Sequence, residues 1–417
     1  MMGGLGRIAT LWTAALVVLW LPRAARADSP GTAKLYGFLN AEVERAWAQG
    51  GTTPYDPRFR VSDGNSRLGV SGTIVLGEKT RAVWQIEAGL NGFEQAGTND
   101  KGLLSAIASR NTFVGVADDR YGTLVVGYVD SAYRSLVGSG SELGGNLGLT
   151  VYGLDLWNNT SAQMTGNPWS VFSRGEARFK NSVHYLSPEG LARFGASYGV
   201  DESASTKRGR DHLSLAGRLK WEGLQVGVGW DYQRNTGMNT DKMEQGLGAH
   251  SDAVEGATTW FAKAVAGYQL KGTYVGVGWE RASYGFANFV PAAPSTPNSS
   301  VQDGTMTQDA VMVSVAQSLG DLGLMASAGK LFQLKNASTV FGADKDYEAM
   351  QYSAGAKYAL GAHFATYAYF TAIKNQKQQD ANLGQAPLYS NGLGTSDAFL
   401  APGDSPYAFG LGLIARF

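Results

Sequence analysis

Apolar and polar residues alternate along many short segments of this chain, and the last segment shows the pattern most clearly. Five of its apolar residues share one parity, namely Tyr407, Phe409, Leu411, Leu413 and Phe417. Strict alternation places such residues on one face of a β-strand. An exposed apolar strand invites aggregation in a soluble protein, whereas lipid wets it in a closed membrane barrel. Taken alone, the segment fits the last strand of either a membrane barrel or a soluble sandwich.

The same alternation recurs in sixteen segments of roughly ten to fourteen residues. A strand tilted across a bilayer needs about 9–11 residues, so these lengths suit membrane strands. We expect strands at residues 34–48, 65–77, 80–92, 108–118, 122–130, 176–187, 191–201, 211–221, 223–234, 258–270, 272–284, 307–319, 322–334, 347–360, 362–374 and 406–417.

Short and long connections alternate between these segments. The seven short ones are rich in turn-forming Gly, Asp, Ser and Pro. The eight long ones cover residues 49–64, 93–107, 131–175, 202–210, 235–257, 285–306, 335–346 and 375–405. A soluble sandwich gives no reason for this segregation, but outer-membrane barrels combine short periplasmic turns with long extracellular loops. The pattern therefore predicts an all-β fold, a 16-stranded antiparallel transmembrane β-barrel, with short helical pieces inside the third long loop.

The polar face of these segments carries charged residues. In residues 80–92, for example, Trp84 and Ile86 oppose Arg81 and Glu87. A dry barrel interior would bury such charges unpaired, at a cost of several kcal/mol each. We therefore expect the polar row to line water and the apolar row to face lipid.

One short sequence occurs twice, as VGVGWD at residues 226–231 and VGVGWE at residues 275–280. Both copies lie on segments that run in the same direction. Trp230 and Trp279 are therefore expected at similar height on the lipid face, in an aromatic girdle. The alternative is a chance similarity between strands rich in Gly and Val.

The first residues have the pattern of a secretory signal peptide. Arg7 precedes an apolar run at residues 8–21, Pro22 ends the run, and Ala25-Arg26-Ala27 forms a small-x-small cleavage site. We expect a signal peptide at residues 1–27 and a mature barrel domain at residues 28–417. A retained N-terminal membrane anchor is the alternative.

Composition narrows the class of protein. The mean hydropathy of −0.16 excludes a helical membrane protein but allows a barrel. The absence of cysteine fits an exported bacterial protein without disulfides. Basic and acidic residues number 35 each, so removal of Arg7, Arg23 and Arg26 with the signal peptide leaves a net charge of −3. This charge argues against a nucleic-acid partner.

Several short motifs, in their order along the mature chain, resemble those of the general trimeric porins of Gram-negative bacteria. They lie at residues 35–37, 65–72, 110–116 and 180–188 and at the terminal Phe417. The resemblance implies an outer-membrane channel for passive diffusion of small hydrophilic solutes, without a cofactor. It also implies a homotrimer in contact with outer-membrane lipids, and an assembly machinery that reads Phe417. Asn40 departs from the family pattern, which often has an acid at this position.

In this family, inward basic residues face acids on the third loop, and the field between them orients solutes. By resemblance, Arg67, Arg110 and Lys180 match positions of the basic wall. Arg81 and Arg178 are further inward candidates from their parity. The alternative for each cation is a pair with a neighbouring carboxylate that stiffens the wall.

The third loop, residues 131–175, is expected to fold into the pore. Glu142 resembles the family's acid at the loop tip, and Asp155 is a second candidate for the constriction. Ordinary solvated acids are the alternative. Tyr128 stands where the family has an arginine, so we expect ion selectivity to be weak.

Enzyme motifs are missing from the sequence. Four scattered histidines lack metal-ligand spacing, and neither cysteine nor a Gly-x-Ser-x-Gly motif is present. A solute-specific channel lined by third-loop aromatics is the first alternative to a general pore. A barrel enzyme such as a lipase is the second; it needs a lipid-side Ser/His pair, whereas His184 and His212 have inward parity.

Overall fold

The computed structural model describes residues 31–51, 55–63, 66–90, 110–138, 150–151, 154–155, 172, 174–200, 211–238, 251–289, 302–336, 343–383, 388 and 400–417. The predicted signal peptide at residues 1–27 lies outside these ranges.

The described residues form nineteen strands. They are β1 (Gly31–Gln49), β2 (Tyr55–Asp63), β3 (Arg67–Val75), β4 (Thr80–Gly89), β5 (Thr112–Asp118), β6 (Gly122–Asp130), β7 (Thr150–Val151), β8 (Leu154–Asp155), β9 (Arg178–Leu186), β10 (Ala192–Val200), β11 (Asp211–Trp221), β12 (Leu224–Met238), β13 (Ser251–Leu270), β14 (Thr273–Phe289), β15 (Gln302–Leu319), β16 (Leu322–Leu331), β17 (Ala349–Ala359), β18 (Phe364–Asn375) and β19 (Ser405–Arg416). Seventeen of them form one antiparallel sheet, which closes where β1 pairs with β19. The short strands β7 and β8 pair only with each other, within the third loop.

The wall of the barrel has sixteen strand positions, as the sequence predicts, because β2 and β3 share one position. β1 pairs with β2 over Ala41–Ala48 and with β3 over Gly31–Phe38. The prediction of a loop at residues 49–64 is wrong for Tyr55–Asp63, which form the strand β2. Its alternation continues that of β3, with Phe59 and Val61 exposed on the outer surface, and it gives the long β1 a partner along its second half.

Four strands are longer than the sequence pattern predicts. The hairpin of β12 and β13 and the hairpin of β14 and β15 continue into the predicted loops 235–257 and 285–306. The continuation of β12 and β13 follows a shift of pairing register between Arg234 and Thr236. In β14 and β15 the pairing first continues unchanged to Phe286 and then shifts before Phe289. The residues beyond these shifts lack apolar alternation, so a period-two pattern misses them.

Connections of two to five residues join the strands at one end of the barrel, here called the short-turn end. The turns Glu222-Gly223, Lys271-Gly272 and Gly320-Asp321 are the shortest. All the longer connections lie at the opposite, long-loop end. The strand ends thus place the seven predicted short turns at one end of the barrel, whereas the first predicted long loop, residues 49–64, is reduced to five residues between β1 and β2.

The outer face of the wall is apolar. Leu35, Val43, Val228 and Leu411 are 59%, 54%, 57% and 55% exposed, as expected for side chains in contact with lipid. The predicted girdle residues Trp230 and Trp279 are also exposed on this face. They pair with Ala262 and Ala264 of the intervening strand β13, so they lie at nearly the same height.

The third loop begins with a short helix, α1 (Ala132–Val137), which lies inside the barrel. The Ser131 side chain accepts a hydrogen bond from the Arg134 backbone N–H and caps the helix. Tyr133 and Val137 of α1 pack with Phe172 and with Phe261 of the inner wall in one buried cluster. The described part of the loop thus contains one helical piece, at its start. Within the described part of the chain, no helix is long and apolar enough to cross a membrane.

Candidate functional site

Three predicted basic residues come together on the inner wall, at the long-loop ends of β3, β4, β6 and β9. Arg110 Nε lies 2.7 Å from Oε1 of Glu87. Arg178 Nε lies 2.7 Å from Oδ1 of Asp130. Arg67 is close enough to both carboxylates to interact electrostatically with them. We call these five residues, together with Arg134, the arginine cluster.

Arg134, which the sequence analysis missed, reaches this cluster from α1. Its Nε lies 2.6 Å from Oδ1 of Asp130, four residues earlier in the chain. Asn111 fixes the same carboxylate, because its Nδ2 donates to Oδ2 at 2.8 Å. Burial lowers the pKa of the Arg134 guanidinium, while the charge of Asp130 acts in the opposite direction. The arginine cluster therefore combines four guanidinium groups with two carboxylates, and the net charge of these six described residues is +2.

Within the described part of the chain, two of these guanidinium groups have N–H donors without an acceptor. Among the described residues, Arg67 has its guanidinium 4.7 Å from the ring of Phe38 and makes no hydrogen bond. The buried Nη2 of Arg178 also has no acceptor within the described part of the chain. Such donors can bind an anion in place of water.

The remaining predicted residues are not part of this cluster. Arg81 is at the short-turn end, where Nη1 lies 2.7 Å from Asp119; six strand residues, about 20 Å, separate it from Glu87. The ammonium of Lys180 lies 5.5 Å from the ring centroid of Tyr128. Asp155 lies in β8, where its backbone pairs with that of Thr150 in β7. Glu142 lies outside the described residues.

A second charged network, which the sequence analysis also missed, holds the returning end of the third loop. Lys263 Nζ of β13 lies 2.6 Å from Glu176 and 3.2 Å from Glu280 of β14. Arg174 Nε lies 2.8 Å from the same Glu280. All four side chains are 0% exposed. The inward parity of Lys263 and Glu280 could have suggested this role, but not which loop residues cover them.

The repeated VGVGW(D/E) sequence also forms a surface on which this loop packs. A Cβ atom at Gly229 would lie 2.6 Å from Val137, and one at Gly278 would lie 2.5 Å from Phe172. The second glycine of each copy therefore leaves room for an apolar side chain of the loop. The outward Val and Trp residues of the repeat face lipid, so the two faces of the same sequence have different functions.

Tyrosines of β18 cross β19 on the inner face and reach carboxylates of β1. The Tyr367 hydroxyl lies 2.6 Å from Asn40 Oδ1 and 3.0 Å from Glu42 Oε2. The Tyr369 hydroxyl donates to Glu44 Oε2 at 2.8 Å. These contacts join three strands at the point where the barrel closes.

Two glycines of β19 make this crossing possible. A Cβ atom at Gly410 would lie 2.3 Å from the Tyr369 ring, and a Cβ atom at Gly412 would lie 2.0 Å from the Tyr367 ring. The two glycines therefore face the inside of the barrel and lie under these rings. Their small size serves this contact and not close packing between neighbouring barrels.

A Ser/His pair is present on the inner side of the wall. Ser182 Oγ and His184 Nε2 are 2.7 Å apart, and His184 Nδ1 lies 2.7 Å from Ser197 Oγ. The Ser197 hydroxyl also accepts the Ala132 backbone N–H at 2.8 Å. The buried pair thus connects the wall to α1. Within the described ranges, no group of His, Asp and Glu could hold a metal ion.

The chain is similar to known outer-membrane proteins. A family model described as Gram-negative porin matches residues 13–378. The major outer membrane protein P.IB of Neisseria gonorrhoeae is 27% identical over 208 residues, which are 48% of this chain and 51% of that protein. The chain therefore spans about half the length of the curated relatives it matches.

Two solved structures have the same fold. OmpT, an outer membrane protein of Vibrio cholerae, matches with a TM-score of 0.59 and 17% identity over 94% of this chain and 99% of that chain. OmpF of Salmonella typhi, solved in complex with daunomycin, matches with a TM-score of 0.55 and 14% identity over 92% of this chain and 97% of that chain. At these identities the likeness shows the fold alone.

Proposed function

The chain belongs to the Gram-negative porin family, and from that premise we propose that it forms a water-filled channel for passive diffusion of small hydrophilic solutes and ions across the outer membrane. The observation that carries this proposal is the closed wall, which is apolar outside and charged inside. Lipid accommodates the outer face, and the charged inner face needs water or paired charges.

The arginine cluster is the proposed constriction. It lies where the third loop leaves the wall, and in this proposal solutes pass between the cluster and the part of the loop that follows α1. In this proposal Arg67, Arg110 and Arg178 form the basic side, and Glu142 and Asp155 of the loop supply the opposite charge. Lys180 and Tyr128 adjoin the cluster on β9 and β6, and Arg81 acts at the mouth rather than at the constriction.

The charge count changes the expected ion preference. Tyr128 removes one wall cation relative to the family pattern, but Arg134 adds one from the loop side. We therefore propose a modest anion preference instead of a permeability ratio near unity. Charges about 8 Å apart interact by roughly 1 kcal/mol at an effective dielectric near 40, so one charge changes ion partition several-fold.

Arg67→Glu is expected to lower the ratio of chloride to potassium permeability several-fold, because it changes the charge of the cluster by two units. The reversal potential in a planar bilayer with a salt gradient measures this ratio. The shift should grow at low salt, where charges are less screened. Glu142→Gln should shift the ratio towards chloride.

Arg120→Glu serves as the matched control, since it makes the same charge change at an exposed turn of the short-turn end. Equal shifts for Arg67→Glu and Arg120→Glu would mean that overall charge, not the constriction, sets selectivity. The absence of any shift for Arg67→Glu would remove the cluster from the proposed constriction.

A solute-specific channel is the second candidate, favoured by the spare donors on Arg67 and Arg178. Saturable block of conductance by one solute would support it. An enzymatic function is disfavoured, because the Ser182–His184 pair is buried on the inner side of the wall. We infer that the chain is a channel and not an enzyme.

We propose a homotrimer on the ground of family membership. In such a trimer, the surface between neighbouring barrels is formed by outward apolar side chains and not by Gly410 and Gly412. A mass in mild detergent that corresponds to one chain would contradict this proposal.

Deletion of Phe417 is expected to reduce outer-membrane levels strongly while leaving the purified barrel stable. The residue exchanges two backbone hydrogen bonds with Gly37, of 3.0 and 3.1 Å. Its side chain is 51% exposed, so its loss costs about 1–2 kcal/mol of burial, which is too little to unfold a large barrel. Phe417→Tyr keeps an aromatic terminus and should assemble normally. Normal membrane levels of the deleted chain would argue against a role in recognition by the assembly machinery.

A further inference from the structure

The described residues of the last long connection, between β18 and β19, are buried against the rest of the protein. Four apolar residues of this connection are at most 2% exposed, namely Ala381, Leu383, Leu388 and Leu400. They belong to the same buried cluster as Ile373 of β18. Apolar side chains at the end of an aqueous barrel stay out of water only when they pack on another apolar surface. We call residues 376–383 and 400–404 the last-loop segment.

The inner wall next to this segment is apolar, unlike the charged inner face at the arginine cluster. One row of paired residues crosses four strands at the long-loop end, namely Ala310 of β15, Leu331 of β16, Ala349 of β17 and Asn375 of β18. The three apolar members of this row are at most 1% exposed. Val311 and Phe332 have the opposite parity and are exposed on the lipid face. The row therefore points inward but does not line water.

Hydrogen bonds hold the last-loop segment on this row. The Asn375 side chain donates through Nδ2 to the carbonyl oxygen of Ala381, at 2.8 Å, and to that of Asp404, at 2.7 Å. The Gln379 side chain donates through Nε2 to the carbonyl oxygen of Tyr347, in the turn before β17, at 2.8 Å. Both described ends of the loop are thus fixed to the inner wall.

This row lies across the barrel from the arginine cluster. In the strand order of the closed wall, β16 is eight positions from β6 and β17 is eight positions from β9, which is half of the sixteen. Leu331 and Ala349 therefore lie opposite Asp130 and Arg178, at the same end of the barrel. The third loop covers the arc between them, since α1 packs on β12 and Phe172 packs on β14. The described parts of the two loops thus cover the inner wall from β12 to β18.

We propose that the last-loop segment is a second constriction element, which excludes water from the wall between β15 and β18 and directs solutes towards the arginine cluster. The proposal rests on the channel function and adds a determinant of its size limit and ion preference. Sixteen strands about 4.8 Å apart make a wall at least about 24 Å across. An ion beside β16 would therefore lie beyond the Debye length of about 8 Å from the cluster. With the segment in place, ions pass close enough for the cluster to act on them.

The first test is the reactivity of single cysteines, which is simple to measure because the chain has no cysteine of its own. Ala349→Cys places a thiol between the two contacts, since Ala349 pairs with Asn375 and follows Tyr347 by two residues. Ser71→Cys is the control, because Ser71 is half-buried on the inner face of β3. A charged, water-soluble thiol reagent should modify Ala349→Cys at least about tenfold more slowly than Ser71→Cys in the purified full chain. Equal rates would overturn the proposal, because the wall at β17 would then face water.

The second test releases the segment by combining Asn375→Ala with Gln379→Ala. This double variant removes the three hydrogen bonds to backbone carbonyls, so Ala349→Cys should react at least about tenfold faster than in the parent. Single-channel conductance should rise, because the lumen beside β17 opens to water. Gln376→Ala removes an exposed amide at the base of the same loop and should change neither quantity. Gel mobility before and after heating checks folding; if the double variant does not fold, Gln379→Ala alone carries the test.

Ion selectivity shows whether the segment directs ions to the cluster. In the double variant, Arg67→Glu should change the ratio of chloride to potassium permeability less than it does in the parent, since ions can then pass beyond the Debye length. Faster thiol modification with an unchanged conductance, or with an unchanged effect of Arg67→Glu, would overturn the proposal. So would an unchanged rate of modification, because these contacts would then not hold the segment. A parent chain without conductance would contradict the channel function instead, whereas thiol reactivity needs no conductance.

Discussion

Gly412→Val is expected to prevent stable closure of the barrel. A Cβ atom at this position would lie 2.0 Å from Cζ of Tyr367, well inside van der Waals contact. The ring would have to move, and its hydroxyl would lose Asn40 and Glu42, which are 0% and 1% exposed. Overpacking and a lost hydrogen bond to a buried carboxylate together cost about 3–5 kcal/mol. Urea unfolding in detergent, monitored by tryptophan fluorescence, measures this loss.

The control for this substitution is Gly323→Val, in β16. A Cβ atom there meets nothing within 4 Å, so the variant should unfold within about 1 kcal/mol of the parent. Tyr367→Ala in the Gly412→Val background should recover part of the loss, because it removes the ring that clashes. Strictly additive effects of the two substitutions would show that the ring contact is not the cause.

Lys263→Met is expected to release the returning end of the third loop. The substitution leaves Glu176 and Glu280 close together in a buried site, with Arg174 as the remaining cation of the network. Breaking a buried pair in this way costs about 3–5 kcal/mol. A released loop should change single-channel conductance and make residues 131–175 more sensitive to protease, and both are measured on the purified protein.

Lys330→Met provides the comparison for this loop variant. Lys330 pairs with Glu348, and the two side chains are 27% and 25% exposed, so the loss should be at most about 1 kcal/mol. Glu176→Gln added to Lys263→Met should restore part of the stability, since one buried charge then disappears. If Lys263→Met keeps the conductance and protease resistance of the parent, the network does not hold the loop.

The sequence by itself determined the strands of the wall and which face of each strand points outward. Alternation is a local property, because side chains of successive residues in any strand point to opposite faces. It therefore identified sixteen strand segments and the outward position of Trp230 and Trp279, and the loop lengths separated the two ends. Parity and family motifs together selected Arg67, Arg110 and Arg178, which do meet in one cluster.

Only the tertiary structure decided which inward charges are buried and what lies over them. Lys263 and Glu280 differ from other inward polar residues only because the third loop covers them. Arg134 enters the arginine cluster because α1 turns back towards Asp130 inside the barrel.

Contacts across several strands depend on the pairing register and on which strands close the sheet. A local sequence pattern determines neither. Gly412 belongs to the same alternation whether it faces a neighbouring barrel or a tyrosine ring. Its position under Tyr367 follows from the pairing of β18 with β19 and of β19 with β1.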